Sequence, residues 1–131
     1  MTTRHASCSC GQLTLTAEGD PVRISMCHCF SCQRRTGSPF GAQARFPEDK
    51  VQTKGQSTAY TRTADSGNTI TFHFCPTCGA TVYYVLAAVP GTVAVPIGVF
   101  ADPTFPPPKV SVYEERKHPW TGIPEDAEHY D

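Results

Sequence analysis

Apolar and polar residues alternate along several short stretches of this chain, which is the pattern of half-buried β-strands. The alternating stretches are residues 13–17, 22–26, 40–46 and 70–74. Two later runs, residues 80–87 and 92–100, are almost continuously apolar and rich in Val, which also favours strands. A last strand is predicted at residues 110–113, after a proline-rich connection. The pattern predicts a mainly β, mostly antiparallel fold.

Helix is predicted at one place only. Residues 31–36 can form a helical turn, because Gly37-Ser38-Pro39 stops anything longer. The polar segment 61–69 is interpreted as a hairpin loop around Asp65-Ser66-Gly67-Asn68, and residues 114–131 as an irregular tail. With 131 residues and no repeat or linker, the chain is expected to form a single domain over residues 1–131.

The seven cysteines form three local groups: Cys8 and Cys10; Cys27, Cys29 and Cys32; and Cys75 and Cys78. A structural zinc site takes about four protein ligands, whereas a catalytic one keeps about three and an open position. The economical assignment joins the first and last groups into a closed four-cysteine clamp. The middle group is then left with three thiols and an open fourth position. Three thiolates make zinc a weak Lewis acid and a good host for a soft sulfur ligand.

Neighbouring residues suggest how such a site is supported. Arg34 and Arg35 follow Cys32, where they would offset thiolate charge or hold a carboxylate of an incoming ligand, or else form a solvated basic turn. His28 lies between two of the predicted ligands and is expected to pack behind the site rather than bind metal.

Charge and cysteine usage narrow the class of protein. The net charge is -1, and the 11 basic residues are scattered among 12 acidic ones, which argues against binding nucleic acid. No stretch approaches the roughly 20 apolar residues of a membrane span or resembles a secretory signal. An odd number of cysteines cannot be fully paired within one chain, so metal binding in a reducing, cytoplasmic compartment is the expected use of these thiols.

The sequence resembles the family of glutathione-dependent formaldehyde-activating enzymes and the related centromere protein V proteins. The resemblance covers nearly the whole chain and rests on three motifs in order. They are Cys8-Ser9-Cys10-Gly11, Cys27-His28-Cys29-x-x-Cys32 followed by Arg34 and Thr36-Gly37-Ser38, and Phe74-Cys75-Pro76-x-Cys78-Gly79.

The resemblance implies a β-tent-like, zinc-stapled single domain of small antiparallel sheets, with two zinc ions per chain. Structural zinc would be held by Cys8, Cys10, Cys75 and Cys78, and catalytic zinc by Cys27, Cys29 and Cys32. It also implies a carbon-sulfur lyase that joins glutathione and formaldehyde as S-hydroxymethylglutathione, or cleaves that adduct. The partner would be a small-molecule thiol or thiol adduct, and candidates for moving the hydroxyl proton are His28, His73 and Tyr60.

Two other functions fit parts of the pattern. A non-enzymatic zinc module would bind a protein or nucleic-acid partner and would need no open metal position. A thiol redox enzyme would use one cysteine of the middle group as a nucleophile and another to resolve the intermediate.

Overall fold

A computed structural model describes residues 2–131 of the chain and contains eleven strands and one α-helix in that range. In chain order the elements are β1 (Thr3–Ser7), β2 (Thr14–Glu18), β3 (Arg23–Cys27), α1 (Phe30–Thr36), β4 (Gly41–Pro47), β5 (Val51–Lys54), β6 (Thr58–Thr63), β7 (Thr69–Phe74), β8 (Thr81–Leu86), β9 (Thr92–Pro96), β10 (Val110–Val112) and β11 (Glu128–His129). Short 3-10 turns follow β4, β9 and β10.

The strands form two sheets. The smaller has the order β1-β2-β5, and the larger has the order β11-β10-β3-β4-β9-β8-β7-β6. Pairing is antiparallel throughout the small sheet and in the large sheet from β3 to β6, whereas β10 runs parallel to both β3 and β11. The prediction of a mainly β, largely antiparallel fold is confirmed.

The two faces of the large sheet have different roles. One face packs against the small sheet and forms the main core, in which Phe46 and Val95 meet Leu13 and Leu15. The opposite face carries a second apolar cluster of Ile70, Phe72, Tyr84 and Ala94. Because successive side chains point to opposite faces of a sheet, Ala94 joins this second cluster while its neighbours Val93 and Val95 join the core.

The sequence patterns predicted the helix and most of the strands correctly, but they missed other strands. The helix and its stop are confirmed, since α1 ends at Gly37 in the left-handed conformation with φ 64°. The hairpin around residues 65–68 is also confirmed by the pairing of β6 with β7. The strand predicted at residues 92–100 is too long: β9 ends at Pro96, which lacks an amide hydrogen, and a 3-10 turn follows.

Candidate metal centres and active-site cavity

The structure brings together the four cysteines of the predicted clamp. Cys8 and Cys10 lie in the turn between β1 and β2, and Cys75 and Cys78 lie in the turn after β7. The four sulfur atoms all lie within 4.8 Å of one another. The Sγ atom of Cys10 is 3.7 Å from those of Cys8 and Cys75. Tetrahedral zinc with Zn–S bonds of about 2.3 Å separates its sulfur ligands by about 3.8 Å, so the spacing suits this ion.

Hydrogen-bond donors surround the sulfur atom of Cys75. The backbone amides of Thr77 and Cys78 donate to it over 3.3 and 3.4 Å, and the side-chain amide of Gln12 donates over 2.9 Å. Burial opposes ionisation of this thiol, but these donors stabilise the thiolate and lower its pKa to about 5. The group therefore has the geometry of a closed metal site, and its hydrogen-bond donors favour the thiolate form of Cys75.

Gln12 was not anticipated from the sequence. Besides Cys75, its side chain bonds the backbone of Gln56 in both directions, over 2.7 and 2.9 Å. It therefore ties the four-cysteine group to the connection between β5 and β6. Its position immediately after the Cys8-x-Cys10-Gly11 motif was the available signal.

The three remaining cysteines also converge. Cys27 ends β3, Cys29 caps α1 and Cys32 lies in the first turn of that helix, with all three sulfur atoms within 4.8 Å of one another. The Sγ atom of Cys29 accepts a hydrogen bond from the backbone amide of Cys32 at 3.3 Å. The spacing Cys29-x-x-Cys32 thus places both thiols at the start of one helical turn.

The three thiols compete for ionisation when no cation balances them. Hydrogen bonds from Cys27 and Cys32 lower the pKa of Cys29, whereas the hydrogen bond to Cys29 raises the pKa of Cys27. Ionisation of Cys29 is therefore favoured at the expense of Cys27 and Cys32. A divalent cation bound by all three would remove this competition, and three thiolates are donors that zinc prefers. Both cysteine groups could hold a metal ion.

The three-cysteine group opens onto a cavity of about 180 Å³. Its walls come from β3, β4, β6, β7, β8 and β10, on the face of the large sheet that carries Phe72 and Tyr84. Four arginines line it, namely Arg23, Arg35, Arg45 and Arg62. Of these, Arg35 favours the ionised form of Cys32 and Arg62 that of Cys29, so both guanidinium groups lie at the thiol end.

Arg34 and Arg35 have different surroundings despite being adjacent. Arg35 lines the cavity and lies 5.2 and 5.3 Å from the ring centres of Phe72 and Tyr84. Arg34 is exposed and does not line this cavity; it lines a neighbouring hollow, which shares Arg35 with the cavity.

None of the three predicted proton-transfer candidates lines the cavity. His28 is fully buried behind the thiols, with its Nε2 atom 3.0 Å from the Oγ atom of Ser111. His73 stacks on Tyr83 with ring centres 4.5 Å apart, and Tyr60 lies in the hollow beside Arg34.

Tyr84 lines the cavity and was not anticipated from the sequence. Its side chain is buried, and burial raises the pKa of its hydroxyl, so the group keeps its proton at neutral pH. Arg35 and Arg45 oppose this effect and the thiols Cys32 and Cys27 add to it, which places the hydroxyl in the electrostatic field of both ends of the cavity. A neutral hydroxyl at this position can donate a hydrogen bond to a bound ligand.

Comparison with known proteins gives a matching family and a solved structure with a similar fold. The sequence model described as glutathione-dependent formaldehyde-activating enzyme matches residues 3–116. Among proteins with curated descriptions, none matches the sequence. A crystal structure of a protein from Rhodobacter sphaeroides has a similar fold, with a TM-score of 0.60 and 19% sequence identity over 79% of this chain and 91% of that one.

Across residues 2–131, no helix has the length and apolar character needed to cross a bilayer.

Proposed function

The chain belongs to the family of glutathione-dependent formaldehyde-activating enzymes, and we propose that it is a zinc-dependent carbon-sulfur lyase acting on a thiol adduct. The proposed reaction joins glutathione and formaldehyde to form S-hydroxymethylglutathione, or cleaves that adduct into the two molecules. The observation that carries the proposal is the position of Cys27, Cys29 and Cys32. Their sulfur atoms all lie within 4.8 Å of one another, and the three residues line a cavity. Three converging protein thiols with an adjoining cavity leave room for a substrate sulfur as the fourth ligand.

We propose that the two cysteine groups have separate tasks. Cys8, Cys10, Cys75 and Cys78 would hold a structural zinc, and Cys27, Cys29 and Cys32 a catalytic zinc. When bound at the second group, zinc would hold a thiol as its thiolate and keep the sulfur in place. We also propose that residues 1–131 act as a single domain. The proposed location is the cytoplasm, which keeps free thiols such as these reduced.

The chain's own residues would perform the remaining steps. In the forward direction the sulfur of the thiol forms a bond to the carbonyl carbon of the aldehyde as the C=O double bond becomes a single bond. The thiol loses its proton, and the aldehyde oxygen, which receives the electron pair of the broken π bond, gains one. In the reverse direction that C–S bond breaks, the hydroxyl oxygen loses its proton and the sulfur regains one. The Tyr84 hydroxyl would donate the proton to the aldehyde oxygen in the forward direction and accept it in the reverse direction. Arg35 and Arg62 would offset the negative charge of the thiolates.

A metal and thiol titration tests the proposal. Protein purified without added metal would first be assayed for zinc, and cobalt would then be exchanged into the three-cysteine group. Added glutathione should change the cobalt absorption and release a proton, detected by calorimetry in buffers of different ionisation enthalpy. Full metal occupancy with no response to any thiol would contradict the lyase and favour a binding module. One metal per chain with readily oxidised Cys27, Cys29 and Cys32 would favour thiol redox chemistry.

A further inference from the structure

The far end of the cavity contains two arginines that no acidic group balances. Arg23 and Arg45 are direct partners on the adjacent strands β3 and β4, so their side chains leave the same face of the sheet. Like charges directly opposite each other are destabilising. Within residues 2–131, none of the ion pairs involves either residue. The one carboxylate that lines the cavity, Asp65, already pairs with Arg116 at 2.9 Å.

Both arginines also have unused hydrogen-bonding capacity. Their Nε atoms are buried and have no partner among the described residues, and the same holds for the Oε1 atom of Gln43. Gln43 lies on β4 two residues before Arg45, and its Nε2 atom donates to Ser25 at 2.7 Å, which leaves its carbonyl oxygen free. Buried polar groups without partners are costly unless a ligand completes them.

The thiol end of the cavity has positive charges of its own, because Arg35 acts on Cys32 and Arg62 acts on Cys29. Burial and the charge of Arg23 lower the pKa of Arg45, so its positive charge lacks compensation. Arg23 and Cys27 are four residues apart on β3, which separates their Cα atoms by about 13 Å on one face of the strand.

We propose that Arg23 and Arg45 bind an acidic group of the substrate, with Gln43 accepting a hydrogen bond from a neighbouring N–H. The inference rests on the proposed function of the three-cysteine group and adds the residues that would recognise the acid end of a thiol substrate, a carboxylate several bonds from the sulfur. Such a molecule places its sulfur at the cysteines and its carboxylate between the two guanidinium groups. A neutral thiol of the same length would leave both arginines unpaired.

A matched pair of thiols tests this assignment. In the cobalt-substituted protein, 6-mercaptohexanoate should bind roughly 10-fold or more tightly than 6-mercaptohexanol, the scale of a charge-assisted hydrogen bond. Arg45→Gln and Arg23→Gln should each remove most of this preference. Arg34→Gln makes the same charge change outside the cavity and should retain it. Equal binding of the two thiols to the wild type, or a preference that survives Arg45→Gln, would overturn the assignment.

Hexanoate separates this inference from the proposed function, because it has the acid but no sulfur. Adding it to the zinc-loaded protein should shift the guanidinium NMR signals of Arg23 and Arg45, and hexanol should not. If these shifts occur while no thiol reaches the metal, the acid subsite stands and the lyase proposal fails. If thiols bind the metal but hexanoate causes no shift at either arginine, the lyase proposal stands and the subsite is refuted.

Discussion

The Nε2 atom of His28 lies 3.0 Å from the Oγ atom of Ser111, and both side chains are completely buried. The backbone amide of His28 also donates to Val112 at 3.1 Å. These contacts attach the segment that carries Cys27 and Cys29 to β10, a strand more than 80 residues further along the chain. The histidine between two predicted ligands therefore positions the segment from behind.

Ser111→Ala should destabilise the protein without removing any predicted metal ligand. The substitution leaves the buried His28 ring without a partner at Nε2, which costs about 1–3 kcal/mol of unfolding free energy. Denaturant unfolding of the zinc-loaded protein would measure the loss. Ser57→Ala, at an exposed position, is the control. Equal stability of the two variants would show that the buried contact contributes nothing.

Gln12→Ala should raise the pH at which the four-cysteine group releases zinc. Gln12 donates to the Cys75 sulfur, and this bond is among those that lower the pKa of Cys75 to about 5. Without it the thiolate gains a proton at higher pH, so protons displace the metal earlier as the pH falls. A chromophoric chelator would follow zinc release between neutral and acidic pH. Gln52→Ala, on the exposed side of β5, should leave the release curve unchanged.

Tyr84→Phe should lower turnover by about 100-fold or more, the usual contribution of a positioned proton donor. The ring still fills the second apolar cluster, so zinc content and thiol binding should remain close to those of the wild type. The adjacent residue gives a matched control: Tyr83 lies on the opposite side of β8, stacked on His73. Unchanged turnover in Tyr84→Phe would assign proton transfer to another group or to water.

The sequence predicted the parts of the site that depend on local spacing. Cys29 and Cys32 are three residues apart and meet within one helical turn, and Cys8 and Cys10 meet within one tight turn. The cavity wall depends instead on strand register: Arg45 faces Arg23 only because β4 pairs with β3 in one of several possible alignments. One signal was present, since Arg23, Ser25 and Cys27 alternate with Ile24 and Met26, and this makes one face of β3 polar.

The strands missed by the sequence analysis have a different cause. The strand β6, for example, is exposed at five of its six residues and has no apolar alternation that would mark it. It is held by pairing along its full length with β7. Tertiary context therefore decides its conformation, and Arg62 reaches the cavity from a strand that has no hydrophobic signal of its own.

Cys78→Ser should unfold or aggregate the protein, because structural zinc binding supplies folding free energy. The four-cysteine group links the β1–β2 turn to the end of β7, and Cys8 and Cys75 are part of the main core. Loss of one ligand should therefore lower both the zinc content and the melting temperature. A variant that melts normally and retains its full zinc content would rule out the clamp.

Cys32→Ser should separate stability from chemistry. The four-cysteine group is unchanged in this variant and still joins the small sheet to the large one, so the protein should stay folded, with strand content and melting close to those of the wild type. The second zinc should be weakened or lost, because two thiols remain where tetrahedral coordination needs three protein ligands and a substrate sulfur. Thiol-dependent turnover should disappear with it. Metal analysis, circular dichroism and an assay for S-hydroxymethylglutathione would be compared with the same measurements on Cys78→Ser. If Cys32→Ser unfolds as readily as Cys78→Ser, the three-cysteine group is structural too, and the cavity beside it loses its proposed role.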